Sequence, residues 1–250
     1  MALVAREPHP SLRHDFERYV GFEERTDAPR TFLELPFAGA ALIISLGTRW
    51  RINGAFERGS FIAGVHDEST LVEHDGYACG LEIHFTPLGA RRFLGMPGSE
   101  LTNRIVELGD VLPEADLLAE ALYELPTWDA RFARLEHAVL ARAHAAALLP
   151  PAVEFAWRRL RDTHGGAPVA QIAGELGCSR RHLTQRFGTE LGLPPKALAR
   201  VLRFQRAVGL LREGGELADV AYTCGYYDQP HFNRDFRALA GVTPSEFLGA

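Results

Sequence analysis

Arg181 and Gln185 stand four residues apart in the run SRRHLTQRF. On a helix that spacing puts both side chains on one face. The guanidinium can then donate two parallel hydrogen bonds to guanine O6 and N7, and the carboxamide can pair with adenine N6 and N7. Thr184 shares that face. A second run, DQPHFNRDFR, offers Gln229, Asn233 and Arg234 in a similar arrangement. Arg180, His182, Arg186 and Arg237 flank the two sets and suit phosphate oxygens, contacts that position a protein without reading bases. Singly, each is what any solvated surface carries. As a set on two helices they point to a duplex.

Other chemistries find less support. Cys178 and Cys224 occupy apolar positions, where a thiol is inert, and Cys79 lies in a strand pattern without a basic neighbour. An odd, sparse set of three cysteines argues for a reducing compartment rather than a disulfide framework. His66, Asp67, His74, Cys79 and His84 are the candidates for a metal, but they lack a compact His-x-His spacing. Metal binding needs three or four converging ligands, so ordinary sheet histidines are expected, with no metal and no cofactor. There is no Gly-rich phosphate loop, nucleophile elbow or His-Glu-x-x-His run, and no catalytic residue is assigned.

The reading residues need helices to present them. Residues 168–189 suit a helix-turn-helix. Ala173 lets the helices cross closely, and Gly177 suits a turn of positive φ. Ile172, Leu176, Cys178, Leu183 and Phe187 lock the pair, and Ser179 is an N-cap candidate. Residues 217–238 repeat the plan with Ala221, Gly225, Val220, Cys224, Tyr226, Phe232 and Phe236, and a turn one residue longer. Asp228 is the second N-cap, with Pro230 in the first helical turn. Between the units, about 194–212, Leu198, Val201, Leu202, Leu210 and Leu211 predict a linker helix ended by Gly214-Gly215. A rigid linker would hold the two recognition helices about one DNA turn apart, roughly 34 Å.

The first half differs. Residues 16–86 alternate Val/Ile/Leu/Phe-rich runs with turn residues, and Asn53-Gly54 and Asp75-Gly76 read as hairpin turns. A small antiparallel barrel or cupin-like sheet is expected. Residues 87–113 suggest short helices and loops, and about 114–148 turn helical. There Thr127 is an N-cap, and Trp128, Phe132, Leu135 and Val139 line one face. That face packs on the sheet or, alternatively, forms a dimerisation helix. Pro150-Pro151 marks the boundary. The expected fold is therefore α+β in two domains: 1–149, β-rich with helices, and 150–250, an all-α double helix-turn-helix.

Composition agrees with a packed core, with 46% apolar and 24% charged residues. The densest apolar run, Gly39 to Ile44, is far short of the ~20 residues that span a bilayer. No secretory leader is read at the N-terminus, so a cytoplasmic location without membrane contact is expected. The net charge of −5 divides into −8 for residues 1–150 and +3 for 151–250, a weak sign that the second half meets a polyanion.

From about 153 to 248 the chain resembles the DNA-binding domain of AraC/XylS-family regulators. The resemblance rests on Ile172-Ala173, Leu176-Gly177-Cys178-Ser179, Leu183 and Arg186-Phe187. It continues through Val220-Ala221, Cys224-Gly225-Tyr226, Asp228, Phe232, Arg234 and Phe236, and ends in the tail from Ala240-Gly241-Val242-Thr243-Pro244 to Phe247. The run from Gly80 to Leu112 is similar to the sensor-type domain of a subgroup of such regulators. The resemblance implies double-stranded DNA as partner. It also implies a small-molecule effector or a homodimer contact in the first half, and RNA polymerase as a partner of any activator. The alternatives are a protein-binding module, or a DNA-repair alkyltransferase-type enzyme carrying an AraC-like domain, which would need a reactive cysteine.

Overall fold

The computed structural model describes residues 2–54, 56–143 and 149–249. The expected end of the helical stretch at 148 and the last residue, 250, lie outside the described residues.

The first half is two antiparallel sheets. Its strands are β1 (Ala2–Arg6), β2 (Phe16–Arg25), β3 (Arg30–Glu34), β4 (Ala40–Ser45), β5 (Trp50–Ile52), β6 (Phe56–Arg58), β7 (Phe61–Ala63), β8 (Thr70–His74), β9 (Tyr77–Phe85) and β10 (Ile105–Glu107). One sheet has the order β1-β2-β9-β4-β7-β10 and the other β3-β8-β5-β6. Strand alternation assigns the faces. Leu42, Ile44, Leu81 and Ile83 point away from the second sheet into a core shared with helices, whereas Ala41, Ile43 and Ala78 point toward it and meet Trp50, Ile52 and Val72.

Asn53 and Gly54, at φ 49° and 71°, have the two positive φ values of a tight hairpin turn between β5 and β6. Asp75-Gly76 corrects its reading as a hairpin. Only Gly76 has positive φ there, and the flanking β8 and β9 belong to different sheets, so the dipeptide turns a corner between layers.

Helices α1 (Pro87–Leu94), α2 (Leu108–Val111), α3 (Ala115–Tyr123) and α4 (Trp128–Ala143) follow. Thr127 Oγ1 accepts from the Ala130 N–H (3.3 Å), as an N-cap does. Phe132, Leu135 and Val139 are buried, and Trp128 lies over Gly21 of β2, where a Cβ would fall 2.5 Å from the indole. The apolar face of α4 therefore packs on its own sheet and is not free to pair with another chain.

The second half is helical: α5 (Pro151–Asp162), α6 (Val169–Glu175), α7 (Arg180–Leu191), α8 (Pro195–Arg212), α9 (Leu217–Thr223), α10 (Gln229–Ala240) and α11 (Pro244–Gly249). The 18-residue α8 is the spine. It buries Leu198, Val201, Leu202, Phe204 and Leu211 in a core common to both helix pairs. No helix among the described residues is long and apolar enough to cross a membrane.

The halves are joined along one seam. Arg91 of α1 pairs with Glu190 of α7 (2.9 Å), and Arg92 bridges Asp15 (2.5 Å) and Glu154 of α5. The Ala38 N–H donates to Gln205 Oε1 of α8 (2.8 Å), and Thr102 Oγ1 donates to the Gly192 carbonyl (2.9 Å). Gly98 packs so tightly on the end of α7 that a Cβ would sit 2.6 Å from the Leu191 carbonyl carbon.

Candidate nucleic-acid interface

Each turn of the paired motif is built as its residues demand. Gly177 and Gly225 adopt φ of 64° and 74°. Ser179 Oγ accepts from the His182 N–H (3.2 Å) and starts α7, and Asp228 Oδ1 accepts from the His231 N–H (2.7 Å) and starts α10. Leu183, Phe187 and Leu191 anchor α7 in the core. Phe232 and Phe236 anchor α10, with the Phe236 ring 4.9 Å from Phe204 of α8. Arg200 of α8 also grips Asp235 of α10 through an ion pair. The tail motif proves to be a capping box: Thr243 Oγ1 accepts from the Glu246 N–H, Glu246 Oε2 accepts from the Thr243 N–H (2.7 Å), and Phe247 packs 5.6 Å from Phe236.

With those residues turned inward, the opposite face of α7 is fixed. Arg180, Arg181, His182, Thr184, Gln185 and Arg186 are all exposed. On α10, Arg234 and Arg237 are exposed, while Gln229 and Asn233 are half-buried. Asn233 departs from the outward orientation expected of it: its Oδ1 is buried without a hydrogen-bond partner.

Many arginines elsewhere in the chain are held by carboxylates. Arg13, Arg30, Arg51, Arg91, Arg92, Arg142, Arg159 and Arg200 each hold a carboxylate. Among the described residues, Arg180, Arg181, Arg186 and Arg234 have no ion pair or hydrogen bond from their guanidinium groups. Their donors are left for an external acceptor.

One residue joins this surface that the sequence did not single out, and two exposed tyrosines flank the second turn. Lys196, at the start of α8, lines the same shallow concavity as Arg180, Arg181, Thr184 and Gln185. It is the chain's only lysine and follows Pro194-Pro195, which gives it a helix N-terminus, but its position beside α7 comes only from packing. Tyr222 of α9 and Tyr227 in the second turn stand 85% and 92% exposed on either side of Gly225.

The histidines have local partners. His74 Nδ1 accepts from the Gly76 N–H, which leaves its Nε2–H to donate to Glu24 (3.2 Å). His84 Nε2 meets Glu82 (2.8 Å), and His66 Nδ1 donates to the Gly64 carbonyl (2.6 Å). Burial pulls the His66 imidazole toward neutrality against the opposing pull of that carbonyl, Glu68 and Asp67. Cys79 and Cys224 are buried and Cys178 is half-buried. Burial also pushes the Cys224 thiol up, against Arg206 and Arg203, and so away from the reactive thiolate.

A second concave feature lies where the sheets open toward α8. It encloses about 620 Å³. Phe22, Phe37, Trp50 and Phe61 form its floor, and Phe204, Val208 and Gly209 of α8 close one side. The size and apolar floor fit a small-molecule site. A polar rim of Glu17, Arg18, Glu34, Glu82, His84 and Arg212 surrounds it. Burial pushes the Glu17 and Glu34 carboxyls up, the second helped by the charge of Glu82. For Glu82 burial acts the same way, but the His84 hydrogen bond, with the charges of His84 and Arg18, outweighs it and holds the carboxyl below its usual range.

The fold and its surface define a class: a β-rich domain packed on paired helix-turn-helix units that share one spine helix. Comparison with known proteins agrees. Residues 172–250 match a family described as a helix-turn-helix domain, and residues 5–107 match a domain of unknown function, DUF6597. The transcriptional activator RhaS of Escherichia coli is 32% identical over 76 residues, 30% of this chain and 27% of the relative. The transcriptional regulator MtrA of Neisseria gonorrhoeae is 26% identical over 80 residues, 32% of this chain and 27% of the relative. The matched segment thus spans little more than a quarter of these curated relatives. ToxT from Vibrio cholerae shares the two-domain fold, with a TM-score of 0.53 at 13% identity, covering 92% of this chain and 98% of that one. A further ToxT structure, with a TM-score of 0.50 at 13% identity and covering 97% of this chain and 96% of that one, is described as bound to an unsaturated fatty acid. The helix-turn-helix half of the chain is thus similar to that of the transcriptional regulators RhaS and MtrA.

Proposed function

We propose that this protein is a sequence-specific, DNA-binding transcriptional regulator and not an enzyme, acting in the cytoplasm. In this reading α7 and α10 enter consecutive major grooves. Arg181, Thr184 and Gln185 read bases from α7, and Gln229, Asn233 and Arg234 from α10. Arg180, His182, Arg186 and Arg237, joined by Lys196, hold phosphates. The observation that carries the reading is the clustering of exposed arginines without an internal partner on the two recognition helices, Arg180, Arg181 and Arg186 on α7 and Arg234 on α10. The half-buried Gln229 and Asn233 make α10 the looser reader. Its selectivity then falls mainly to Arg234.

The functional boundary is placed at Pro150, with residues 1–149 as the regulatory half and 150–250 as the DNA-reading half. The 620 Å³ cleft is the effector site of the regulatory half. A ligand there touches both halves, so it can favour one domain arrangement over another. Homodimerisation and, for an activator, contact with RNA polymerase belong to the same reading.

The test is selection of bound duplexes from a random pool by the full chain at near-physiological salt. Enrichment of two short blocks about ten base pairs apart supports paired readers, and a repeat of that unit indicates a dimer. Binding that shows no enrichment and collapses with salt is the nonspecific electrostatic behaviour that contradicts the proposal.

A further inference from the structure

Resting on the reading of the cleft as an effector site, we infer that its ligand is an organic cation: a small molecule with an apolar body and an amine or comparable cationic head. Three features of the cleft lead there.

The first is the state of the rim charges. Arg18 stands 3.5 Å from His84 Nε2 and Arg212 lies over the Phe247 ring (5.7 Å), and the charge of Arg18 acts on both Glu17 and Glu34, that of Arg212 on Glu34. Glu82 is held by His84, and Glu24, deeper in the wall, by Arg30 and His74. Glu17 and Glu34 have neither hydrogen bond nor ion pair among the described residues. The lining therefore sets five carboxylates, Glu17, Glu24, Glu34, Glu68 and Glu82, against the two guanidinium groups of Arg18 and Arg212, so that its net charge is negative.

The second is where Glu17 and Glu34 stand. Glu17 is the second residue of β2 and Glu34 the last of β3, so each sheet contributes one of these carboxylates to the lining. Both keep accessible surface, yet both feel enough surrounding protein for burial to disfavour their charge. Such a carboxylate gains most from a cation that arrives without a large water shell, which an organic ammonium satisfies better than a small inorganic ion.

The third is the floor. Phe22 and Trp50 meet edge to face (5.7 Å), and Phe37 lies 5.0 Å from the His84 ring just below the rim. Aromatic faces beside a carboxylate attract a cationic head and tolerate an apolar body. On the far side Gly209 of α8 faces the cleft with no atom within 4 Å of a built Cβ, so there is open space between the halves for such a body.

The test is calorimetric titration of the full chain with three probes of one shape: phenylbutylamine, phenylbutyrate and phenylbutanol. The expected result is that the amine binds at least about tenfold tighter than the acid. Glu34→Gln and Glu17→Gln should each shrink that preference several-fold while leaving phenylbutanol binding within about twofold, which also shows that the variants are folded. Gly209→Trp should fill the cleft and abolish binding of all three. Equal or tighter binding of the acid overturns the cationic head, and so does a preference that both glutamine variants preserve. If Gly209→Trp abolishes that binding, the effector site itself stands. Binding of the amine that Gly209→Trp leaves intact places the site elsewhere and overturns the inference. If none of the three probes binds, both the inference and the cleft reading fall.

Discussion

Arg181 and Arg180 are neighbours on α7, and the proposal gives them different work. Both are exposed and neither has a partner in the protein, so replacing either with alanine removes no internal interaction. Stability should stay within about 0.5 kcal/mol of the parent. On DNA the two should diverge. Arg181 lies two residues before the buried Leu183 and four before Gln185, on the face that the proposal turns to the bases. Losing a bidentate guanine contact costs about 1–3 kcal/mol of discrimination. Arg181→Ala should therefore lower the affinity ratio of selected over scrambled duplex by roughly fivefold to 150-fold. Arg180→Ala should weaken both duplexes alike, leave that ratio within about twofold, and flatten the slope of log K against log salt by about 0.9. Fluorescence anisotropy over a salt series from about 50 to 200 mM measures both quantities at once. The assignment of roles is refuted if Arg181→Ala weakens the two duplexes equally, or if the Arg180 variant alone changes the ratio. A loss of melting temperature in either variant would refute the claim that these guanidiniums are free.

Three further expectations come from the scaffold. Gly177→Ala and Gly225→Ala place a Cβ where no atom lies within 4 Å, so any cost comes from positive φ alone, about 1–2 kcal/mol each; denaturant titration without a loss would contradict the turn geometry. Burial lifts the folded-state pKa of Glu34 above its ordinary 4.5, so its ionisation opposes folding increasingly as pH rises above 4.5 and fully above the raised value. Glu34→Gln should thus raise the melting temperature at pH 7, with the gain fading as pH falls toward 4.5, and a gain independent of pH would refute the cause. Arg92→Ala breaks the bridge from Asp15 to Glu154 that ties the two halves. It should cost about 1–3 kcal/mol and raise amide exchange along α1 and α5, and unchanged exchange there would mean that the seam is held elsewhere.

What the sequence disclosed follows the range over which each signal acts. The helix-turn-helix pairs were legible because their determinants are local: Gly177 and Gly225 in the turns, Ser179 and Asp228 as caps, Phe187 and Phe236 at the right spacing. The capping box at Thr243 explains why the tail motif has its spacing, although its energetic reason showed only in the hydrogen bonds. Where partners are distant, the signal failed. Asp75-Gly76 announced a turn but carried no information on which sheet the chain would enter next. β1 escaped because all five of its residues are exposed, so no alternation of apolar and polar side chains marks it. Lys196 could not be seen as a neighbour of Arg181, since α8 brings them together by packing.

The cleft was invisible for the same reason, and its position bears on mechanism. One wall is α8, the helix whose buried face holds both α7 and α10 and so sets their separation. Phe204 meets the cleft and also touches Phe236 of the second recognition helix (4.9 Å), while Gln205, one residue on, receives the Ala38 N–H from the sheet domain. A ligand that reaches Phe204 would therefore contact both halves. Whatever it gains against Phe204 depends on where α8 lies, and the spacing of the DNA-reading helices depends on the same coordinate. Linkage then requires that ligand binding and duplex binding affect each other to an equal degree, in whichever direction the preferred α8 position sets.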